Sequence, residues 1–180
     1  MLDSIIYVGG IAGIDKPAIL RKAAAILRKS SIKAELIDVE KLMLDYAKKR
    51  GYAKLPDRIR KSARLHAFRT AIRTKNSVVC GCFCPLVGSG EEAFPYALRH
   101  HLRPLILINP PKGYRTKPQV LKLISNLSDY DLNARLKDPH IERLYAAHLA
   151  AENGCELYVV DSRNAVRQVA AILRKHLKKL

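Results

Sequence analysis

The chain has 180 residues and a formal net charge of +17, from 33 Lys and Arg against 16 Asp and Glu. That length suits one domain, here 1–180, with one substantial core. Hydrophobic residues at 48%, with nine glycines and nine prolines, exclude a disordered or fibrous chain, and no apolar run reaches the roughly 18 residues of a membrane span.

Ser4 to Val8 (SIIYV) predicts a first strand. After GGIAGIDKPA, a helix is expected from near Pro17, with Ile19, Leu20, Ala23, Ala24 and Leu27 on its apolar stripe and Arg21, Lys22, Arg28 and Lys29 off it. Ala34 to Val39 predicts a second strand, Ser77 to Cys82 a third, Leu105 to Ile108 a fourth and Glu156 to Val160 a fifth. A last helix from Ala165 to Lys178 repeats the arrangement of the first and ends in RKHLKKL. Strands alternating with helical segments imply an α/β fold, a mainly parallel sheet with helices on both faces. There is no internal repeat and no domain boundary.

Charge is concentrated in one place. From Lys48 to Lys75 there are 11 bases and one acid, Asp57, so 28 residues supply +10 of the +17. Leu65, Phe68 and Ile72 are expected to face the core, leaving Arg58, Lys61, Arg64, Arg69 and Arg73 as a basic ridge. A polyanion would relieve the self-repulsion of such a surface. Nucleic acid is therefore the expected partner, ahead of an anionic membrane.

The four cysteines, three of them in CGCFC, have no disulfide-framework spacing, and a reducing compartment is expected. Asp3 stands where a secretory leader would be positive. Without paired C-x₂-C knuckles the cysteines read as small hydrophobes facing the core or a cleft, and no metal is expected. His100 and His101, between Arg99 and Arg103, are phosphate contacts or a solvated helix end. PLVGSGEE reads as a cap opening a helix. No serine or carboxylate arrangement makes His66 or His176 a catalytic base.

A strand, a glycine-rich loop and a helix form the context of a phosphate-binding loop. Gly10, Gly13 and Lys16 match part of that requirement, while Asp15 stands where the pattern has glycine and Pro17 where it has a hydroxyl. Proline offers neither a magnesium ligand nor an N–H.

The opening IIYVGGIAGIDKPAILRKAAAILRKSSIKAELIDVEKLMLDYAKKRGY resembles the amino-terminal third of archaeal adenylate kinases, a branch of the P-loop nucleoside monophosphate kinases. IERLYAAHLAAENGCELYVVDSRNAVRQVAAILRKHL is similar to that family's last helix–strand–helix passage. The resemblance implies a P-loop NTPase-like three-layer α/β/α fold with a parallel five-stranded sheet in the order 2-3-1-4-5. It places the loop lysine on Lys16, and it sets Cys80 and Cys82 at the acid and histidine of the family's Asp-Thr-His passage. The arginine-rich lid falls at about 112–140, which holds scattered bases, Arg115, Lys117, Lys122, Arg135 and Lys137; Arg143 is set at an arginine beginning the next helix. Two magnesium-organising positions are thus replaced together.

These readings lead to an expected function. The chain is expected to be a non-catalytic, cytoplasmic RNA-binding protein on a nucleotide-kinase scaffold, a ribosomal protein or ribosome-associated factor with no cofactor, touching ribosomal RNA and neighbouring ribosomal proteins. The expected RNA contacts are Lys48, Lys49, Arg50, Lys54, Arg58, Arg60, Lys61, Arg64, Arg69, Arg73, Lys75, Arg99, Arg103, Arg174, Lys175, Lys178 and Lys179. The alternative is an atypical nucleoside monophosphate kinase holding ATP through Gly10, Gly13 and Lys16.

Overall fold

The computed structural model describes residues 5–49, 57–83, 101–114 and 137–177, with the side chains of Ala47, Asp57, Arg60 and Lys61 set aside. In chain order the elements are β1 (Ile5–Gly9), α1 (Lys16–Arg28), β2 (Glu35–Asp38), α2 (Val39–Lys49), α3 (Asp57–Arg73), β3 (Ser77–Cys80), β4 (Leu102–Asn109), α4 (Pro139–Asn153), β5 (Leu157–Asp161) and α5 (Ala165–His176). Every strand pairing is parallel, and the sheet order is β2-β3-β1-β4-β5. This is the three-layer P-loop NTPase-like topology. No helix among the described residues is long and apolar enough to cross a membrane.

The period-2 alternation of the strands divides the interior between two faces. Ile6, Val8, Val78, Cys80, Ile106 and Ile108 point to the layer of α1 and α5, where they meet Leu20, Leu27, Val169 and Leu173. Ile5, Tyr7, Val79, Leu105 and Leu107 point the other way, onto α2, α3 and α4, through Met43, Ala63, Phe68, Ala146 and Leu149. The central strands β1 and β3 are buried throughout, whereas β2 is half-buried along its length. Strands covered on both faces need continuous apolar runs, which is why IIYV and SVVC are the clearest in the sequence.

Most strand boundaries fall within one residue of expectation, and two differ by more, for local reasons. β3 ends at Cys80 rather than Cys82: the Gly81 N–H to the Val8 carbonyl completes the last parallel pair, Val8 with Cys80, and beyond it the Cys82 carbonyl accepts from the Tyr7 hydroxyl at 3.0 Å. A Cβ at Gly81 would stand 2.5 Å from that hydroxyl. β4 begins at Leu102, three residues before the apolar run, and contains Pro104. The missing N–H falls at the register shift between the Ile5–Leu102 and Tyr7–Leu105 pairs, where the ladder is already interrupted.

Leu27 and Leu173 are fully buried where α1 and α5 meet the sheet. Leu27→Ala is expected to lower stability by about 2–5 kcal/mol without altering the exposed surface. Urea unfolding followed by circular dichroism reads the change as a lower midpoint at an unchanged slope.

Candidate functional site

The carboxyl ends of β1, β3 and β4 lie side by side, the edge at which open α/β sheets hold ligands. The loop from Gly10 to Asp15 leaves β1 there and turns into α1. Gly13 has φ +99°, a conformation that only glycine adopts readily, and a Cβ at Gly10 would meet the Ile108 carbonyl oxygen at 2.8 Å. The two glycines are therefore required by the path of the loop itself.

Lys16 occupies the interior of this loop. Its side chain is 1% exposed, and its Nζ donates to the carbonyl oxygens of Gly10 at 3.1 Å and Ile11 at 3.3 Å. The Glu40 carboxylate, at the start of α2, pairs with the ammonium at 3.3 Å. Cys82 Sγ lies 3.8 Å from Nζ and donates to Glu40 Oε1 at 3.2 Å. Burial disfavours the ammonium, but the acidic groups packed around it, the paired Glu40 carboxylate among them, outweigh that cost and hold the lysine above its ordinary range. Burial likewise raises Glu40, and the facing Lys16 overcomes it, so Glu40 stays ionised below the usual carboxylate value. Burial pushes both Cys80 and Cys82 up, so both remain thiols at neutral pH.

More polar groups close around the same point. The fully buried Glu142 of α4 accepts the Phe83 N–H. Tyr7, also buried, is raised by burial and by its acidic neighbours and lowered by the charge of Arg64. Arg64, expected on the basic ridge, is 5% exposed. The physical reason is angular: at 100° per residue Arg64 falls on the side of α3 that carries Ala63, Ala67, Phe68 and Ala71, away from Arg58, Arg69 and Arg73.

The chemistry of this interior suits a cation. A phosphate cradle turns successive backbone N–H groups inward, whereas here two carbonyls of the loop face the lysine. The mouth of α1 is also occupied, because Asp15 caps the helix by accepting the Ala18 N–H at 2.9 Å. Among the described residues no group of three His, Cys, Asp or Glu side chains comes together to hold a metal.

Beside the loop, a cleft of about 480 Å³ opens between α1, β2, α2 and α3. Arg21 and Lys41 bring positive charge to its wall, Asp38 and Asp45 negative charge, and His66, Thr70 and Cys80 complete the polar lining. Asp38 also caps α2 through the Lys41 N–H at 3.0 Å, and burial raises its pKa. A second cavity, about 410 Å³, lies beyond β4 and contains Lys112, His140 and Arg143.

The expected RNA contacts divide. Lys48, Lys49, Arg58, Arg69, Arg73, Lys75, Arg103, Arg174 and Lys175 are exposed. Arg50, Lys54, Arg99, Lys178 and Lys179 and the side chains of Arg60 and Lys61 lie outside the described residues, as do His100, Cys84, the PLVGSGEE passage and most of the lid-like region. Residue type alone pointed to none of Glu40, Glu142 or Tyr7. The available signal for Glu40 was an acid in the first turn after β2, at the same end of the sheet as the loop.

Lys16→Met is expected to destabilise the fold by about 3 kcal/mol, the scale for breaking a buried pair, and Glu40→Gln by less, since a third of Glu40 reaches solvent. The folded pKa of Glu40 lies below its ordinary 4.5, so its contribution is complete above that value and is lost as pH falls through the folded value. The gap in melting temperature between wild type and Lys16→Met should therefore narrow below pH 4.5, as calorimetry at pH 3 to 7 would read.

No family model matches the chain, and no curated protein matches it. Among solved structures, the shikimate kinase of Bacteroides thetaiotaomicron aligns over 95% of this chain and 98% of its own, at 12% identity and a TM-score of 0.45. The topology stated above stands on the strand order and register of this chain.

Proposed function

We propose that the chain is a non-catalytic RNA-binding protein on a nucleotide-kinase-type scaffold, cytoplasmic and associated with ribosomal RNA. The observation that carries this reading is the enclosure of Lys16 by Gly10, Ile11 and Glu40. A phosphoryl-transfer loop needs that ammonium on the terminal phosphates and a hydroxyl on magnesium. Here the ammonium is neutralised inside the protein, Asp15 holds the helix mouth, and Pro17 replaces the hydroxyl. The remaining equipment for binding anions is the exposed basic surface, with Arg58, Arg69 and Arg73 on a single stripe of α3. Contacts of that kind go to phosphate and position a protein without reading sequence. Ribosomal RNA is the proposed partner because it can cover an entire basic surface.

The cleft supports a second reading, an atypical nucleoside monophosphate kinase. Its 480 Å³ is within the range of a small-ligand site, and Arg21 and Lys41 are placed to meet an anionic group. Gly10, Gly13 and Lys16 would then hold ATP, which requires Lys16 to leave Glu40.

Fluorescence anisotropy with a structured RNA, without magnesium or ATP, is expected to show binding that weakens on the order of 10³-fold between 50 and 200 mM salt. Arg69→Glu with Arg73→Glu should remove most of it, and Lys16→Met, at a temperature where it is folded, should leave it unchanged. A coupled ADP-formation assay across several monophosphates decides the alternative. Turnover in the wild type that Lys16→Met abolishes would establish the kinase reading and overturn the first.

A further inference from the structure

We infer that α1 and α5 form a second RNA-phosphate surface, so that the protein bridges two RNA segments, one on each face of its sheet. This rests on the RNA reading above and goes beyond it in naming a new face and a stoichiometry. No internal repeat was expected, yet residues 21–29, RKAAAILRK, recur at 167–175 as RQVAAILRK, identical at seven of nine positions. Burial matches at all nine: the third, fourth and seventh residues are buried, the sixth is half-buried, and the other five are exposed. The exposed positions are bases in α1, bases and one glutamine in α5, and otherwise only Ala25 and Ala171.

The two helices pack against each other on one face of the sheet and share one apolar cluster. Each follows a strand of the same parallel sheet and returns along that face, so they run in the same direction. Arg21 and Arg28 are two turns apart, about 10.5 Å, as are Arg167 and Arg174, and neighbouring helices lie about 8–10 Å apart. The four arginines thus spread over a patch on the order of 10 Å in each direction, with Arg21 at its rim, where it also lines the cleft that holds Asp38 and Asp45. Neither helix contains Asp or Glu. Glu156, from the edge of β5, meets Lys175 at 3.4 Å, but among the described residues no carboxylate pairs with any of the four arginines. A surface charged merely for solubility interleaves both signs; this one carries a single sign twice in the same pattern.

Across the sheet lies the α3 stripe, whose three exposed arginines fall within about 60° of helix arc. With a helix layer on each side of the sheet, the axes of the two layers are roughly 20 Å apart. That exceeds the screening length of about 8 Å at physiological salt. Away from the cleft that Arg21 shares with His66 and Thr70 of α3, the faces therefore act as separate electrostatic fields.

The test mixes full-length protein with a donor-labelled and an acceptor-labelled RNA duplex of 20 base pairs. Native mass spectrometry should find one protein carrying two duplexes, and energy transfer should appear between the labels. The fourfold variant R21Q/R28Q/R167Q/R174Q, altered only at exposed positions and checked by thermal melting, should carry one duplex, lose the transfer and reduce the log–log salt slope by about 3. The α3 variant R58Q/R69Q/R73Q should also carry one. Wild type saturating at one duplex, or a fourfold variant that keeps the transfer, overturns the bridge and leaves the RNA reading standing. Absence of any RNA binding at low salt overturns both, and polyglutamate binding the α1–α5 face as tightly as duplex RNA would assign that face to an acidic protein instead.

Discussion

A lysine ammonium sealed inside a glycine-rich loop is the constraint around which the carboxyl edge of the sheet is built. Taking such a charge out of water costs several kcal/mol unless it is met by an opposite charge and by hydrogen-bond acceptors. Glu40 supplies the first, and the carbonyls of Gly10 and Ile11 supply the second. The loop glycines follow from this arrangement. The backbone must curl closely enough for two successive carbonyls to face one nitrogen while passing against Ile108, and a side chain at Gly10 would block that path. The same curl points acceptors toward the loop interior, which favours a cation over the phosphate that a similar sequence pattern would suggest.

Several elements are tied to that point by directional bonds. Glu40 brings in α2, Cys82 the segment that follows β3, and Lys16 the start of α1. Phe83, next in the chain to Cys82, links to α4 through Glu142, and Tyr7 reaches the Cys82 carbonyl from β1. Cys82 serves here as a neutral donor: burial keeps it protonated, so its hydrogen goes to Glu40. A buried polar cluster of this kind is destabilising when half-satisfied and fixes relative positions when satisfied. Its members come from β1, α1, α2, α4 and the segment that follows β3, so it sets how those elements meet in a way that apolar packing alone does not.

The layout of the fold was legible because its signals are local. Short apolar runs buried on both faces marked β1 and β3, and the amphipathic spacing of AILRKAAAILRK marked α1. The strand order required the family resemblance, since periodicity does not say which strands are neighbours. The site was less legible because its pairs are distant in sequence: Lys16 with Glu40, Glu40 with Cys82, Phe83 with Glu142. Arg64 shows the limit at single-residue scale. Composition places it among eleven bases, while helix phase turns it into the core. Asp15 shows the converse, since an acid that looks like an erosion of a phosphate loop is also a good helix cap.

The burial of charge bears on what the outside of the molecule does. Lys16 and Arg64 are buried on the positive side, Glu142 is buried and Glu40 largely covered on the negative side, so the enclosed charges cancel. Among the described residues the positive excess therefore lies at the surface, undiminished by the charges these residues enclose. Surface excess of one sign raises the free energy of the compact state by self-repulsion, and mobile counterions relieve it only beyond about a screening length. On α1, α3 and α5 the exposed bases stand at positions dictated by the phase of the buried stripe beneath them, some of them, such as Arg69 and Arg73 or Arg174 and Lys175, closer together than that. The core that positions the apolar residues thus also aligns the charges. A bound polyanion, by releasing its own condensed counterions as these bases replace them, would lower the repulsion and gain entropy in the same step, a coupling that a small mononucleotide with two or three charges supplies far less of.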